Sequence, residues 1–315
     1  MDAAPTHQHY VPQFILRGFA SGRNKQIYVF DKATERSFRT SIRNVASVSG
    51  FYDFELKGQA KSLDPVLQQL EEVTPGIVRK ILQDLSVRSI TTDEREVLAL
   101  FVAVQMLRTD AQRNLFRDFY YKLKNTLLED GADLERVKGF QLMTEEELRV
   151  GSILMLPELA RDLAPHFLTK TWLLFRTVAQ RAFYISDNPI TMFNTVNQDP
   201  DRGTRGLAVP GVEVYFPLSG TLTLGFLCPS LQEMIRNGQE KARRLNAPIS
   251  FEKWVKAFDG DVPFAMPMES VVHQNSLQVA NAERYVFSAT PDFDLALEMV
   301  HSNPELKEGP RLTIV

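Results

Sequence analysis

The sequence VLALFVAVQML, residues 97–107, is the most apolar continuous stretch of the chain. It is about half the length needed to cross a bilayer, and Gln105 interrupts its end. Thr92 is suited to cap the N-terminus of a helix that runs through this stretch. The pattern therefore predicts a helix buried in the core of a soluble protein, with no membrane association.

Helical spacing of apolar residues extends to both sides of this stretch. Between residues 64 and 128, pairs such as Asp64-Pro65 and Thr74-Pro75 provide start signals for about three or four helices. A further helix is predicted over residues 144–163, and Pro157 should divide it into two pieces that meet at a kink. Together these segments predict a helical block over residues 61–165.

Short alternating runs on both sides of this block predict β-structure. An N-terminal hairpin is predicted over residues 25–40, and a further strand over residues 51–56. The predicted C-terminal elements are hairpins formed by 172–178 with 181–186 and by 212–218 with 221–227, a helix at 230–245, and a strand pair over 278–289 that turns at 281–283. The fold class expected is α+β, with a central helical block flanked by antiparallel β segments from the N- and C-terminal parts of the chain.

The domain organisation follows from the absence of any repeat or convincing linker. We expect a single α+β domain over residues 1–315. It comprises an N-terminal β region at about 1–60, the helical block at about 61–165 and a C-terminal β-rich part at about 166–315. Residues 194–211 are rich in Gly, Pro, Asn, Asp and Arg and predict an exposed loop that covers a site.

Composition excludes several classes of protein. The 36 basic and 39 acidic residues give a net charge of −3, so any attraction to nucleic acid must be local. The single cysteine, Cys228, excludes an internal disulfide and multi-cysteine metal centres, and it fits a reducing compartment. Because the N-terminus lacks the basic start and apolar run of a secretory signal, we expect a cytoplasmic protein.

The segment QHYVPQFILRGF, residues 8–19, carries the first candidate site residues. His9 is a potential metal ligand, jointly with His7, and a potential proton carrier. If Pro12 opens a helix, Gln13 and Arg17 share one helix face, where Arg17 can bind a carboxylate or phosphate. The alternatives are a buried, hydrogen-bonded His9 and an ordinary surface ion pair for Arg17.

Gln105 and Arg108 lie three residues apart at the end of the apolar helix. A buried amide and a buried guanidinium need partners, because burying them unpaired costs several kcal/mol. Arg108 is therefore a candidate for stabilising negative charge, and Gln105 a candidate for binding substrate. A structural network that ties the helix to a neighbouring strand explains the same residues equally well.

The segment FYISDNPI, residues 183–190, places polar residues directly after an apolar strand. Asp187 is a candidate metal ligand or general base, and Asn188 a candidate positioning donor. Asp-Asn-Pro is also ordinary turn chemistry. Asn281, expected at the tip of the last hairpin, is ambiguous for the same reason.

The N-terminal β region shows two further patterns that point to phosphate chemistry. Asp31, Glu55 and Lys57 loosely match the acid and lysine layout with which nucleases hold Mg²⁺, so a divalent metal cofactor is considered. Aromatic residues alternate there with basic ones, as in nucleic-acid readers, although a solvated hairpin face explains the pattern as well. The basic residues are Arg17, Arg23, Lys25, Lys32, Arg36, Arg39 and Arg43. No Gly-rich phosphate loop, nucleotide-binding fingerprint, zinc-protease motif or nucleophile elbow is present.

The blocks QHYVPQFILRGF, AVQMLRT and FYISDNP, taken together and in this order, resemble a bacterial family known as domain of unknown function 4238. The resemblance spans nearly the whole chain and supplies no reaction, cofactor or partner. A departure lies at Thr109-Asp110, where the family pattern has threonine followed by proline. The resemblance implies that one set comprises His9, Gln13, Gln105, Arg108, Asp187 and Asn188, with Asn281 as a late member.

Two functional hypotheses follow. In the first, these residues line one cleft of a hydrolase acting on nucleic acid or nucleotides, with His9 or Asp187 as base and Arg108 stabilising negative charge. The biological role that we associate with such a hydrolase is that of a toxin or phage-defence effector, and no residue pattern specifies it. In the second, the same residues form a structural network of a non-catalytic module, and the 194–211 loop contacts a protein partner. A water-accessible cavity favours the first, and a closed, mutually satisfied network favours the second.

Overall fold

The computed structural model describes residues 7–178, 181–196, 206–248, 251–260 and 262–311. These residues form helices and largely antiparallel sheets, which confirms the α+β class. The strands are β1 (His7–His9), β2 (Gln26–Asp31), β3 (Arg36–Ser41), β4 (Ser47–Ser49), β5 (Asp53–Leu56), β6 (Gln59–Ser62), β7 (Thr171–Arg176), β8 (Ile185–Ser186), β9 (Thr191–Asn194), β10 (Val212–Pro217), β11 (Leu222–Leu227), β12 (Phe264–Ala265) and β13 (Tyr285–Ser288). The α-helices are α1 (Gln13–Leu16), α2 (Asp64–Asp84), α3 (Thr92–Leu107), α4 (Asp110–Glu129), α5 (Glu145–Leu168), α6 (Pro229–Arg244), α7 (Glu252–Phe258), α8 (Met268–Asn281) and α9 (Asp294–Ser302).

Helix α3 is the buried helix that the apolar run predicted. Leu98, Phe101 and Val102 have no exposed surface, and α3 packs mainly against α5 and α2. The predicted N-cap, Thr92, is wrong by one residue. Thr91 caps the helix, because its hydroxyl accepts from the Glu94 N–H while the Glu94 carboxylate accepts from the Thr91 N–H. This reciprocal capping box needs glutamate three residues after the cap, a spacing that only Thr91 satisfies.

Helix α5 runs without a break from Glu145 to Leu168, so the predicted division at Pro157 is wrong. Leu156 and Ala160 are buried on either side of this proline, in the core cluster that also contains the buried face of α3. Packing against α3 offsets the free-energy cost of the backbone hydrogen bond that is lost when a proline lies inside a helix.

Two larger sheets flank the helices. The five-stranded sheet has the order β12-β7-β11-β10-β9 and contains the predicted hairpin β10–β11, in which Phe216 lies opposite Leu224 and both are buried. The four-stranded sheet has the order β3-β2-β13-β8. Its β2–β3 hairpin was also predicted, and Val286 of β13 pairs with Phe30 of β2. Strands from near both ends of the chain therefore share one sheet.

Two predicted strand pairs are wrong. The segments 172–178 and 181–186 form no hairpin, because β7 pairs with β11 and β12 whereas β8 pairs with β13 in the other sheet. Residues 278–281 are the last turn of α8, so only residues 285–288 of the predicted 278–289 pair form a strand. Helix α6 was predicted, but α7, α8 and α9 were not. Half of the predicted 194–211 loop, residues 197–205, lies outside the described residues.

The N-terminal motif is docked rather than frayed. Strand β1 pairs with β4, and the apolar residues of the motif, including Val11, Leu16 and Phe19, are buried in the main core. Gly18 lies against the β10–β11 turn, where its carbonyl accepts a hydrogen bond from the Gly220 N–H at 3.1 Å. A Cβ on Gly18 would lie 2.2 Å from a backbone oxygen of this turn. Only glycine permits so close an approach.

Candidate functional site

The N-terminal motif contributes to an open pocket of about 260 Å³, here called the His9 pocket. Strand β1 supplies His9, while Gln13 begins α1 and Arg17 follows four residues later on the same face. Helix α2 contributes Glu71 and Pro75 to the pocket wall, and these two residues are also four positions apart. The structure thus brings three of the predicted residues together. Glu71 was not predicted, and its only sequence signal is its spacing from Pro75 on an amphipathic helix.

Arg108 lies behind this pocket and is only 2% exposed. Its Nη1 donates to the Glu71 carboxylate at 2.6 Å, and its Nε donates to the Gln105 Oε1 at 2.9 Å. Gln105 in turn donates its Nε2 to the Tyr10 carbonyl at 2.9 Å. The end of α3 therefore holds both the N-terminal motif and the Glu71 carboxylate in place.

His9 is neutral near pH 7 in this setting. Burial lowers its pKa below 6.5, and this effect outweighs the opposing hydrogen bond to the Ile42 backbone and the negative charge of Glu71. The His9 Nε2 has no hydrogen-bond partner and exposes less than 1 Å² of surface. A water or phosphate oxygen can reach this atom only if the ring turns toward the pocket.

Asp187 lies in a different, closed cluster. Its carboxylate accepts the backbone N–H groups of Glu283, Arg284 and Tyr285 at 2.7–2.8 Å. The opposite charge of Lys32 acts on the same carboxylate, and the Lys32 ammonium donates to the Val279 and Ala282 carbonyls at the end of α8. Burial raises the pKa of Asp187 to about 6 and lowers that of Lys32 to about 8.

Asn188 and Asn281 bind each other across the same cluster. The Asn188 Nδ2 donates to the Asn281 carbonyl at 3.0 Å, and the Asn281 Nδ2 donates to the Asn188 carbonyl at 2.8 Å. Thr109 joins them by donating its hydroxyl to the Asn188 Oδ1 at 2.9 Å. Asn281 is the last residue of α8, so its predicted place at a hairpin tip is wrong.

Helix α8 presents a row of amides that the sequence analysis missed. Asn275 binds both the Tyr184 N–H and the Ala182 carbonyl. Gln278 accepts from the Ser186 N–H and donates to the Pro189 carbonyl. With Asn281, these residues recur every third position on one helix face, and the motif N-x-x-Q-x-x-N was the signal available. The row fixes the backbone of residues 182–190.

A second open feature, here called the basic groove, adjoins the His9 pocket and shares Gln13 and Arg17 with it. Its volume is about 660 Å³, and none of the described residues that line it is acidic. Five exposed cationic side chains line the groove: Arg17, Arg23, Lys25, Arg39 and Arg43. Lys32, also predicted on this basic face, is instead buried against α8.

The acid and lysine layout considered for Mg²⁺ does not assemble. Asp31 ends β2 and forms an ion pair with Arg284, whereas Glu55 is exposed on β5 in a separate sheet and Lys57 lies in the turn that follows. Across the part of the chain that the structure describes, no three His, Cys, Asp or Glu side chains are grouped so as to hold a metal ion. The divalent metal therefore stays a prediction.

Comparison with known proteins places the chain in a family. A family model described as a protein of unknown function, DUF4238, matches residues 7–292. The chain belongs to this family. The match covers both the His9 pocket and the Asp187 cluster. No curated protein and no solved structure matches the chain significantly. No helix within the described ranges is long and apolar enough to cross a membrane.

Proposed function

We propose that this protein binds the phosphate backbone of nucleic acid in the basic groove. The observation that carries the proposal is the concentration of five cationic side chains along a groove that has no acidic lining, in a chain whose net charge is −3. Such a concentration of like charge is unfavourable by itself, and binding of a polyanion relieves it while the cationic side chains release the counterions condensed on that polyanion. The volume of about 660 Å³ exceeds what one phosphate group fills, which favours a polymer with repeated phosphates.

The groove suits positioning of a backbone rather than reading of bases. Arg39 is held by a hydrogen bond to the Ser21 hydroxyl at 3.1 Å and by stacking over Tyr28, with its guanidinium carbon 5.1 Å from the ring centre. Apart from Ile42, the remaining lining residues carry amide or hydroxyl side chains, which are groups that bind phosphate and sugar. We therefore expect binding with little sequence preference.

The test is the salt dependence of binding to short labelled RNA and DNA strands, followed by fluorescence anisotropy. Five phosphate contacts predict that the logarithm of the binding constant falls with the logarithm of salt concentration with a slope of about −3.5 for single strands and about −4.5 for duplex DNA. Replacing one groove arginine, in Arg39→Gln or Arg43→Gln, should reduce that slope by about 0.7–0.9.

The matched control is Arg136→Gln, which removes the same charge from a side chain that is 87% exposed outside the groove. Its affinity and salt slope should equal those of the unaltered protein. Binding that is absent, that does not depend on salt, or that Arg136→Gln weakens as much as Arg43→Gln does, would contradict the proposal.

Hydrolysis of a phosphodiester is the second candidate, and the open His9 pocket beside the groove favours it. A neutral His9 can take a proton from water as the water oxygen attacks phosphorus and the ester bond breaks, with the leaving oxygen protonated by solvent. Arg17 would neutralise the phosphate. Because the His9 Nε2 is covered in this conformation, catalysis requires a ring movement that binding does not.

The second candidate predicts degradation of RNA or DNA by the purified protein, measured without added metal and with Mg²⁺, Mn²⁺ or Zn²⁺. His9→Ala should abolish cleavage, whereas His7→Ala, at the exposed first residue of the same strand, should not. Cleavage that survives in a folded His9→Ala variant would assign the activity to another site. Binding without any cleavage would support the non-catalytic module.

The contacts of Asp187, Asn188 and Asn281 support a structural role for these three residues. Their side chains bind backbone groups and, for Asn188, also the Thr109 hydroxyl, and none of the three lines the His9 pocket or the basic groove. We therefore propose His9, Gln13 and Arg17 as the residues that meet the ligand. Gln105 and Arg108 would act by positioning Glu71.

A further inference from the structure

A small cavity of about 60 Å³ lies where α3 meets α4, against the middle of α5. It has no lining residue in common with the His9 pocket or the basic groove. Its polar lining is Tyr52, Arg108, Thr109, Gln112, Arg113 and Ser152. Its apolar lining is Leu107, Phe116, Ile153, Met155, Leu156 and Leu159. A ligand here would therefore occupy a different site from that of the proposed function, although Arg108 also binds Glu71 of the His9 pocket.

Two arginines that line the cavity have donor capacity that the described residues do not fill: Arg108, although paired with Glu71, and Arg113. Arg108 is 2% exposed, and after its bonds to Gln105 and Glu71 its Nη2 is buried without a partner. Arg113 donates to the Phe51 carbonyl at 3.0 Å and stacks on the Phe51 ring at 3.8 Å, but no carboxylate among the described residues forms an ion pair with it. Burial lowers the pKa of Arg113, because removing the guanidinium from water has a cost that the negative charge of Asp110 offsets only in part. A bound anion would reduce that cost.

The walls limit the kind of anion. Most of them are aliphatic or aromatic, which disfavours phosphate and other strongly hydrated ions. A carboxylate is planar and matches a guanidinium in a pair of parallel hydrogen bonds. Met155 and Leu159 line the cavity and are also 42% and 38% exposed, so its apolar wall continues to the protein surface. An aliphatic chain attached to the carboxylate would pack along these two side chains.

The volume of the cavity limits the size of the ligand that can enter it. A water molecule needs roughly 10–15 Å³ of such space, so about four non-hydrogen atoms fit inside. A carboxyl group with its first carbon atoms fills this space, and a longer chain must leave past Met155 and Leu159. We propose that this cavity is a binding site for the carboxylate of a short aliphatic acid.

The test on the unaltered full-length protein is a ligand series followed by calorimetry and saturation-transfer NMR. The series is acetate, butyrate and hexanoate, with butyramide as the neutral match for butyrate and inorganic phosphate as the hydrated anion. We expect saturable binding of butyrate and hexanoate, tighter for hexanoate, and at least about tenfold weaker binding of butyramide and phosphate. Equal binding of butyrate and butyramide, or no saturable binding of any acid, would overturn the proposal.

Variants locate the site. Arg113→Gln should weaken butyrate binding at least about tenfold, whereas Arg117→Gln, four residues along α4 and outside the cavity, should leave it unchanged. Ser152→Leu adds side-chain carbons at the cavity wall and should abolish binding by filling it. Circular dichroism confirms that each variant is folded. Equal loss of affinity in Arg113→Gln and Arg117→Gln, or undiminished binding in a folded Ser152→Leu variant, would place the acid elsewhere and overturn the assignment.

Discussion

Replacing Asp187 tests whether this carboxylate supports the fold or takes part in chemistry. Its three hydrogen bonds to the N–H groups of Glu283, Arg284 and Tyr285 measure 2.7, 2.8 and 2.7 Å. A hydrogen bond to a charged group contributes about 1.5–3 kcal/mol, and three of them set an upper range of about 4–9 kcal/mol. Arg284 is exposed, so water can replace part of what is lost. We expect Asp187→Ala to lower the free energy of unfolding by about 4 kcal/mol.

The Asp187→Asn variant keeps the shape of the side chain but removes its negative charge. The amide retains one acceptor oxygen but points an NH₂ group at the N–H donors that the other carboxylate oxygen accepts, so we expect a loss of about 3 kcal/mol. It also removes the first of the two negative charges, Asp187 and Glu283, that act on the buried Lys32 ammonium. Urea unfolding at pH 7, followed by far-ultraviolet circular dichroism, measures both losses. Asp130→Asn, at an exposed aspartate after α4, is the control and should change stability by less than about 0.5 kcal/mol.

A catalytic Asp187 would behave differently. An isosteric amide at a catalytic carboxylate removes activity while leaving stability unchanged or increased, because such sites are organised for function at a cost in stability. A loss below about 1 kcal/mol in Asp187→Asn, together with lost cleavage of nucleic acid, would refute the structural assignment.

Three further predictions concern the remaining parts of the site and its frame. Burial lowers the pKa of His9 below 6.5, so below that pH the unfolded chain binds more protons than the folded chain, and the free energy of unfolding decreases as the pH is lowered through this window. Urea midpoints measured from pH 8 down to pH 5 should decrease less steeply in His9→Asn than in the unaltered protein. Parallel profiles of the two proteins would contradict this prediction. Thr109→Val removes both the α4 cap and the bond to Asn188 and should cost about 1–2 kcal/mol in the same assay, so an unchanged midpoint would argue against the network. Gly18→Ala would place a Cβ 2.2 Å from a backbone oxygen and should lower the free energy of unfolding by about 3 kcal/mol or more. Gly76→Ala, which meets open space within α2, should instead raise it by up to about 1 kcal/mol. A Gly18→Ala variant that is more stable than Gly76→Ala would disprove the close approach.

Elements that depend on neighbouring residues were predictable. The buried helix α3 was predicted from its apolar run because this run can avoid water only in the core, and its start is fixed within a few residues by a capping box. The β10–β11 hairpin was predicted because two apolar segments flank Ser219-Gly220, and both strands are fully buried. In each case the partner groups lie close together in the sequence.

Elements whose partners lie far along the chain were not predictable. The 181–186 segment has the apolar pattern of a strand, but that pattern does not say which sheet receives it. The amides of α8 and strand β13 bind its backbone from about 90 residues away, as shown by Tyr184 with Asn275 and Ser186 with Gln278. The apparent strand at residues 278–281 became helical because its amides face that backbone.

The residues of the candidate site also differ in whether local spacing or long-range packing determines their place. The spacing of Gln13 and Arg17 predicted a shared helix face, and the structure places this face beside His9 at the end of β1. Glu71 could not be found in this way, because only the packing of α2 beside the N-terminal motif brings its carboxylate to the pocket. The same holds for Lys32, whose charge suggested an exposed position until the end of α8 supplied buried carbonyls for it.

The sequence by itself determined the α+β class, the buried central helix, the absence of a disulfide framework and the family to which the chain belongs. These follow from hydrophobic periodicity, composition and local motifs, which act over a few residues. The tertiary structure alone decided that Asp187, Asn188 and Asn281 satisfy backbone groups, and that the His9 pocket and the basic groove are open. A polar side chain shows its role only through its partners, and long-range packing sets whether these are buried backbone groups or solvent.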